Sequence, residues 1–170
     1  IQSAFNRALT QQASAVLAGS TTAVNEIAAL KASNGVYYAP DEVDVGGSRC
    51  LNIQGDSSVF AGDAGVGKNL FYSSVANEGL VRRLYMSDVS FHNYDTVVRL
   101  ATNNLDLSTF VFENIKTDAI ELFLDTVDYY KSRSTHVTFN ECMFAYKTKR
   151  VARCYADQLS FNDCWFGTEA

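Results

Sequence analysis

One short phrase returns four times in the second half of the chain, and no other feature of the sequence restricts the fold as strongly. The four copies span Leu84–Phe91, Leu105–Phe112, Val137–Phe144 and Leu159–Phe166. Their final residues, all Phe, are 21, 32 and 22 residues apart. Self-similarity at a period of about 20 residues is typical of solenoids, in which each repeat buries its apolar face only by stacking on the next one.

The spacing inside the phrase predicts strands. Apolar residues alternate with polar ones, but two consecutive polar residues, Ser87 and Asp88 in the first copy, break the alternation. Each copy therefore predicts two short strands joined by a sharp bend. A third apolar run, such as Val97–Leu100, follows a small turn. Three short strands per rung, with no helix in the repeat, predict an all-β parallel β-helix.

Stacked rungs lie about 4.8 Å apart, so equivalent residues form columns along the core. Two inward columns are predicted, one of Phe91, Phe112, Phe144 and Phe166, the other of Val89, Phe110, Cys142 and Cys164. Cysteine in such a column behaves as a small apolar residue, which predicts buried free thiols. A disulfide between adjacent rungs is the alternative.

The N-terminal residues 1–35 predict a helical cap. Apolar residues from Ile1 to Leu17 fall at helical spacing, and Val24, Ile27, Ala28 and Leu30 mark a second helix that ends at Asn34-Gly35. Such a cap would cover the open end of the solenoid and prevent edge-to-edge aggregation. Residues 36–170 are predicted to form the rungs, as part of a longer β-helix.

Composition narrows the possible partners. The 170-residue chain suits one domain and has a net charge of -5, which argues against a nucleic-acid partner. No run of about 18 apolar residues is present, so no membrane span is predicted. The four cysteines form no CxxC pair and the chain has two histidines, so neither a metal nor another cofactor is predicted.

The polar bend offers the first candidate for catalysis. Its second position reads Asp88, Thr109, Glu141 and Asp163 in successive copies. Glu141 and Asp163 would then be neighbours in stacked rungs. Two carboxyl groups about 5–5.5 Å apart serve as acid and nucleophile in retaining glycosidases. The alternative is that Asp and Asn occur there because they favour turns.

The long 32-residue spacing predicts an insertion of about ten residues near Asp125–Arg133. Asp125 is a third catalytic candidate, and Asp128, Tyr129, Tyr130 and Arg133 are candidates for binding a sugar, because tyrosine faces and charged hydrogen-bonding groups suit a sugar ring. A solvated loop or a subunit contact is the alternative. Separately, Gly62–Asn69 nearly matches a phosphate-binding loop but lacks its final hydroxyl residue, so a glycine-rich turn is favoured.

The opening of the chain resembles a known family. The segments Ile1-Gln-Ser-Ala-Phe5, Asn34-Gly-Val-Tyr-Tyr-Ala-Pro40 and Leu51-Asn-Ile-Gln-Gly55 resemble the opening of pectate-lyase-like right-handed β-helices, and within that group the phage tailspike depolymerases. The second helix departs from the usual pattern of that opening, and no catalytic motif of the family is recognisable.

The resemblance implies a homotrimer on the virion, in the phage tail, that is made in the host cytoplasm and acts at the bacterial cell surface. Its substrate would be bacterial surface polysaccharide, either capsule or O-antigen, with glycoside hydrolysis favoured. One alternative is a non-catalytic glycan-binding or structural β-helix segment, as in an adhesin. Another is a polysaccharide lyase, which would need an acidic Ca²⁺-binding cluster and a basic catalyst.

Overall fold

The structure, a computed structural model, describes residues 28–45, 50–63, 69–73, 83–100, 108–126, 135–154 and 156–167. These residues form thirteen strands, and none of them lies in a helix. The strands are β1 (Ala28–Lys31), β2 (Val36–Tyr38), β3 (Val43–Asp44), β4 (Cys50–Ala61), β5 (Asn69–Ser73), β6 (Arg83–Leu100), β7 (Ser108–Glu113), β8 (Lys116–Asp125), β9 (Thr135–Asn140), β10 (Met143–Phe144), β11 (Ala152–Arg153), β12 (Gln158–Asn162) and β13 (Trp165–Phe166).

The strands stack in parallel on three faces. The first face contains β1, the start of β4, the start of β6, β7, β9 and β12. The second contains β2, the end of β4, the middle of β6, the start of β8, β10 and β13. The third contains β3, β5, the end of β6, the end of β8 and β11. The predicted parallel β-solenoid is confirmed, and its right-handedness stays a prediction that rests on the family resemblance.

The second copy of the phrase lies five residues later than predicted. Phe112 pairs with Met86 on one side and with Phe139 on the other, so it belongs to the first face. The residue that pairs with Phe91 on the second face is Thr117. The second copy therefore runs from Phe110 to Thr117, and the placement of Phe112 and Phe110 in the two predicted columns was wrong.

This register removes most of the predicted insertion. The final residues of the four copies are Phe91, Thr117, Phe144 and Phe166, which are 26, 27 and 22 residues apart. The spacing that contains Asp125–Arg133 is thus one residue longer than the spacing before it. The prediction of about ten extra residues at that point was wrong, because it counted from the wrong phenylalanine.

A pair of size changes keeps the core filled where Thr117 interrupts the phenylalanine column. Thr117 is buried, and its hydroxyl shares a 2.7 Å hydrogen bond with the hydroxyl of Thr148. Phe123, from the third face, fills the space, with its ring centroid 5.9 Å from that of Phe91 and 6.1 Å from that of Phe144. In the neighbouring rungs the position of Phe123 is occupied by the smaller Val97 and Val151. Core volume is therefore balanced between faces within one rung.

The corner between the first and second faces is built from left-handed residues. Ser57, Asp88, Asn114, Glu141 and Asp163 occupy equivalent positions and have φ between 48° and 57°. Short polar side chains tolerate this conformation better than other non-glycine residues do. The Asn114 amide also donates a 2.8 Å hydrogen bond to the Asp88 carboxylate in the preceding rung. The predicted polar bend is confirmed, with Asn114 in place of Thr109.

The predicted cap is wrong where the structure describes it. Ala28–Lys31 was expected to continue the second helix, but it is strand β1, paired in parallel with Leu51–Gln54. Four residues at the end of a short apolar run fit both the helical and the strand period. Their parallel pairing with the next rung decides for the strand. Residues 1–27, which hold the rest of the predicted cap, lie outside the described residues.

The apolar column residues of the last described rung are less covered than those above them. Leu159, Phe161 and Phe166 are 45%, 39% and 47% exposed, although they continue the inward columns. Phe161 stacks on Phe139 with 4.9 Å between ring centroids. Within the part of the chain that is described, β12 and β13 pair with a strand on one side only, which accounts for the exposure.

The cysteines of the second inward column are free, as predicted. Cys142 is buried, and burial raises the pKa of its thiol from 9.0 to about 12. Cys164, in the last described rung, is free and half-buried. A thiol whose pKa is this high carries almost no thiolate at neutral pH, so it does not react as a nucleophile.

We expect Cys142 to react with iodoacetamide at pH 8 only when the protein unfolds, because the thiol is both buried and protonated at that pH. Cys164 serves as the internal control and should be alkylated in native buffer. Peptide mass spectrometry after short labelling, with and without urea, measures both sites. Equal labelling of the two cysteines in native buffer would contradict the prediction.

The corner between the second and third faces also contains left-handed residues, and one of them can be replaced to stabilise the protein. Ala119 has φ 56° and stacks on Asn93, which has φ 59°. Alanine pays about 1–2 kcal/mol to adopt this left-handed conformation. We therefore expect Ala119→Gly to stabilise the protein by about 0.5–1 kcal/mol, after the larger unfolded-state entropy of glycine is subtracted.

The matched control is Ala145→Gly, since Ala145 is another half-buried alanine, and its φ is not positive. There the same change should destabilise by about 0.5–1 kcal/mol. Urea unfolding followed by circular dichroism measures both midpoints. If the midpoints of the two variants move in the same direction, left-handed strain at Ala119 is not what changes the stability.

Candidate functional site

The corner between the first and second faces brings two of the predicted carboxylates together. Glu141 and Asp163 occupy the same corner position in neighbouring rungs and are both exposed. The backbone N–H of Glu141 donates a 2.9 Å hydrogen bond to the carbonyl of Asn162, which fixes this corner on the rung below. Their stacking is as expected from the repeat, and their catalytic role stays a prediction.

Asp125, the third predicted carboxylate, lies on a different face. It is on the third face, with its side chain 6% exposed, between Arg99 and Arg153 of the adjacent rungs. Arg153 donates from Nη2 to Oδ2 at 2.6 Å and from Nε to Oδ1 at 3.1 Å, and Nε of Arg99 is 3.9 Å from Oδ2. Asp125 is therefore not brought to Glu141 and Asp163. Its contacts are those of a residue that ties three rungs together.

The predicted sugar-binding loop lies outside the described residues. This holds for Asp128, Tyr129, Tyr130 and Arg133, and also for residues 64–68 of the glycine-rich segment. Both predictions therefore stay predictions. The residues on either side of the loop, Asp125 and Thr135, belong to the third face and to the first face of the next rung.

The outer surface of the first face contains a cavity that the sequence did not indicate. Its volume is about 380 Å³, and it spans three stacked rungs. It is lined by Leu51, Asn52, Arg83, Leu84, Tyr85, Thr109 and Val111. A concave site with apolar walls and a few converging polar groups is the usual form of a binding site for a small ligand or one unit of a polymer.

A tyrosine–carboxylate pair lies beside this cavity. The Tyr85 hydroxyl donates a hydrogen bond to Oε2 of Glu113, which is in the next rung. This hydrogen bond, together with burial, raises the pKa of Tyr85 above its ordinary value. Tyr85 is therefore protonated at neutral pH and holds the Glu113 carboxylate in one orientation, a preorganised arrangement for binding polar groups.

Asn52 presents an unsatisfied acceptor at the same place. Its Oδ1 atom is buried and has no hydrogen-bond partner among the described residues. Leaving a buried acceptor without a partner costs about 1–3 kcal/mol, so such atoms normally bind water or a ligand. Asn52 is the register partner of Tyr85 and lines the cavity with it.

The register error explains why the sequence did not reveal this group. Tyr85 and Glu113 are 28 residues apart and meet only because Ser87 pairs with Glu113. In the predicted alignment Glu113 lay just after the second copy, Leu105–Phe112, so no residue of the neighbouring rungs was expected to stack on it. The signal that could have revealed this pair is the set of polar residues that alternate with the apolar ones, because in the correct register they stack on the outer side of the first face.

Some classes of site are not found in the described part of the chain. No group of three or more His, Cys, Asp or Glu residues there is placed to hold a metal ion. No helix in those same ranges is long and apolar enough to cross a membrane.

The comparisons with known proteins return no relative. No protein-family model matches the chain, and neither does any curated protein or any solved structure. The structure agrees with the resemblance noted in the sequence at the level of parallel β-helix proteins in general.

The arginine pair around Asp125 predicts a large stability effect. We expect Asp125→Asn to lower the free energy of unfolding by about 1–3 kcal/mol, because Arg153 loses its charge-assisted hydrogen bonds to the buried carboxylate. The control is Glu121→Gln, which breaks an exposed ion pair with Lys149 and should cost less than about 1 kcal/mol. Urea unfolding measures both, and similar losses in the two variants would contradict the structural role of Asp125.

Proposed function

We propose that the outer surface of the first face binds bacterial surface polysaccharide, and that the chain is part of a tailspike-like virion protein that degrades it. The observation that carries the proposal is the cavity lined by Asn52 and Tyr85, with Glu113 bonded to Tyr85 beside it, in a strip of mostly polar side chains. The family resemblance of the opening segments supplies the substrate class.

The strip suits a linear polymer. Its central column contains Asn52, Tyr85, Val111, Thr138 and Ser160. Flanking columns contain Arg83, Thr109, His136 and Gln158 on one side and Glu113, Asn140 and Asn162 on the other. At about 4.8 Å per rung the central column is ~19 Å long. A polysaccharide repeats hydroxyl groups along its length, and the donors and acceptors of these columns, which only Val111 interrupts, match that repeat.

Hydrolysis is the favoured chemistry, with Glu141 and Asp163 as the catalytic pair. Stacked neighbours have backbones about 4.8 Å apart, which is compatible with the 5–5.5 Å between carboxyl groups in retaining glycosidases. In that role one carboxyl group protonates the leaving oxygen while the other attacks the sugar. The remaining parts of the proposal, a homotrimer and a place in the phage tail, rest on the resemblance alone.

A non-catalytic glycan-binding segment is the second candidate. It is favoured by the left-handed conformation of Glu141 and Asp163, with φ 53° and 52°. All five positions of this corner share that conformation, and turn preference alone accounts for Asn and Asp at such places. The two candidates share the binding surface and differ in whether the carboxylates act on the bound sugar.

The test uses the protein with a panel of purified capsule and O-antigen polysaccharides. Binding is measured by isothermal titration calorimetry. We expect Tyr85→Ala and Asn52→Ala to weaken binding about tenfold each, which corresponds to about 1.4 kcal/mol. Tyr38→Ala, which removes an exposed tyrosine at the start of the second face, is the control and should leave the affinity unchanged.

Product analysis separates the chemistries. New reducing ends without absorbance from unsaturated sugar indicate hydrolysis, and Glu141→Gln and Asp163→Asn should then abolish them while binding persists. Both signals together indicate a lyase. Binding with neither signal supports the non-catalytic segment. If no polysaccharide of the panel binds, or if Tyr85→Ala binds as well as the unmodified protein, the proposed first-face site is wrong.

A further inference from the structure

The bend between β1 and β2 contains the only Asn-Gly sequence of the chain, Asn34-Gly35. Asn34 is exposed, and the register of β2 gives it the same corner position as Ser57 in the next rung. Among the described residues, no hydrogen bond holds its side chain or its carbonyl, and none holds the N–H of Gly35. The peptide group between the two residues is therefore not fixed by the rungs around it.

The backbone on both sides of this peptide group is held by the next rung. Ser58, whose side chain is buried, donates a 3.0 Å hydrogen bond from Oγ to the carbonyl of Ser33. The N–H of Val59 donates a 2.8 Å hydrogen bond to the carbonyl of Gly35. The unbonded peptide group thus spans two anchored carbonyl groups.

The space around the nitrogen of Gly35 is open. Gly35 has φ 157°, and outside the adjoining residues the atom nearest to a Cβ at this position would be Cε2 of Tyr37, at 3.7 Å. Glycine has no Cβ, so nothing shields its nitrogen from the side-chain amide carbon of the preceding residue. The bend therefore combines an exposed side-chain amide with an accessible backbone nitrogen that makes no hydrogen bond among the described residues.

We infer that Asn34 is a site of spontaneous deamidation, with water as the co-reactant. The nitrogen of Gly35 attacks Cγ of Asn34 and loses its proton, and Nδ2 leaves as ammonia. The product is a five-membered succinimide ring. Water then opens the ring at either of its two carbonyl groups, which gives aspartate or isoaspartate.

The two products have different consequences for the fold. Aspartate leaves the backbone unchanged, and Asp88 and Asp163 occupy the equivalent corner position in other rungs. Isoaspartate routes the backbone through the side chain and adds one methylene group between the two anchored carbonyl groups. Because Ser58 and Val59 hold those groups, at least one of the two hydrogen bonds must lengthen or break. The isoaspartyl form therefore loosens the first described rung from β4.

The experiment incubates the native protein at physiological temperature and analyses its tryptic peptides by mass spectrometry, with a sample digested before incubation as the background. Cleavage after Lys31 and Arg49 gives peptide 32–49, in which Asn34 carries the only side-chain amide. We expect this peptide to be converted to the acid at a rate proportional to hydroxide concentration, because the deprotonated nitrogen is the nucleophile. Both aspartate and isoaspartate should form.

Two controls separate the effect of the glycine from exposure alone. Asn162 is also exposed, but it is followed by Asp163, and its amide donates a 2.8 Å hydrogen bond to Asn140. It should remain an amide over the same period. The variant Asn34→Gln should be stable as well, because its cyclisation would need a six-membered ring.

Hydrogen exchange tests the structural consequence. The Val59 amide should exchange roughly tenfold faster in the isoaspartyl fraction, because it loses its acceptor at Gly35. In the variant Asn34→Asp, which carries the same new charge on an unaltered backbone, the exchange of Val59 should match that of the unmodified protein.

Native protein that keeps Asn34 intact while urea-unfolded protein is converted overturns the inference. So does conversion of Asn162 at the same rate, or a product that contains aspartate alone, because direct hydrolysis by water gives no isoaspartate. Equal exchange of Val59 in the isoaspartyl fraction and in the unmodified protein overturns the loosening of the first described rung. None of these measurements involves a polysaccharide, so their results leave the proposed function unaffected.

Discussion

Parallel pairing between successive rungs is the constraint on which the rest of this structure depends. Each rung presents the same backbone groups to the next, so equivalent residues stack, and at many core positions they resemble one another in size and polarity. Phe112, Phe139 and Phe161 show the result, with ring centroids 4.9 Å apart at each step and nearly parallel planes. The left-handed corner follows from the same rule, because a bend that one rung needs is needed by all. The first-face surface proposed above follows such columns for this reason.

The fold class could be predicted from the sequence, but the register of one rung could not. Leu105–Phe112 and Phe110–Thr117 both satisfy the spacing of the phrase, and the first has an apolar residue at its end. Periodicity counts apolar residues, so it passes over a buried threonine whose hydroxyl is satisfied by Thr148. The strand at Ala28–Lys31 was missed for a related reason. A short apolar run fits both a helix and a strand, and only its pairing with Leu51–Gln54 shows that it is a strand.

The candidate site was predictable to the extent that it depended on local spacing. Glu141 and Asp163 could be placed one above the other because their two copies of the phrase are in the correct register. Glu113 and Asn52 could not be identified, because their roles arise from contacts between rungs. Asp125 was predicted to be catalytic, and its side chain lies between two arginines on another face. Contacts across rungs, rather than residue type, decide which polar groups act together.

The exchange of volume between Thr117 and Phe123 has a consequence for how such a solenoid diverges. A column residue that shrinks is compensated six positions later in its own rung, and the residues directly above and below it keep their size. Substitutions in the core should therefore co-vary between faces of one rung, at short sequence separation, more strongly than along a column. A lineage that restores phenylalanine at position 117 would be expected to carry valine or leucine at position 123. Each rung would then evolve as a nearly closed packing unit, while its hydrogen bonds still oblige it to share the register of its neighbours.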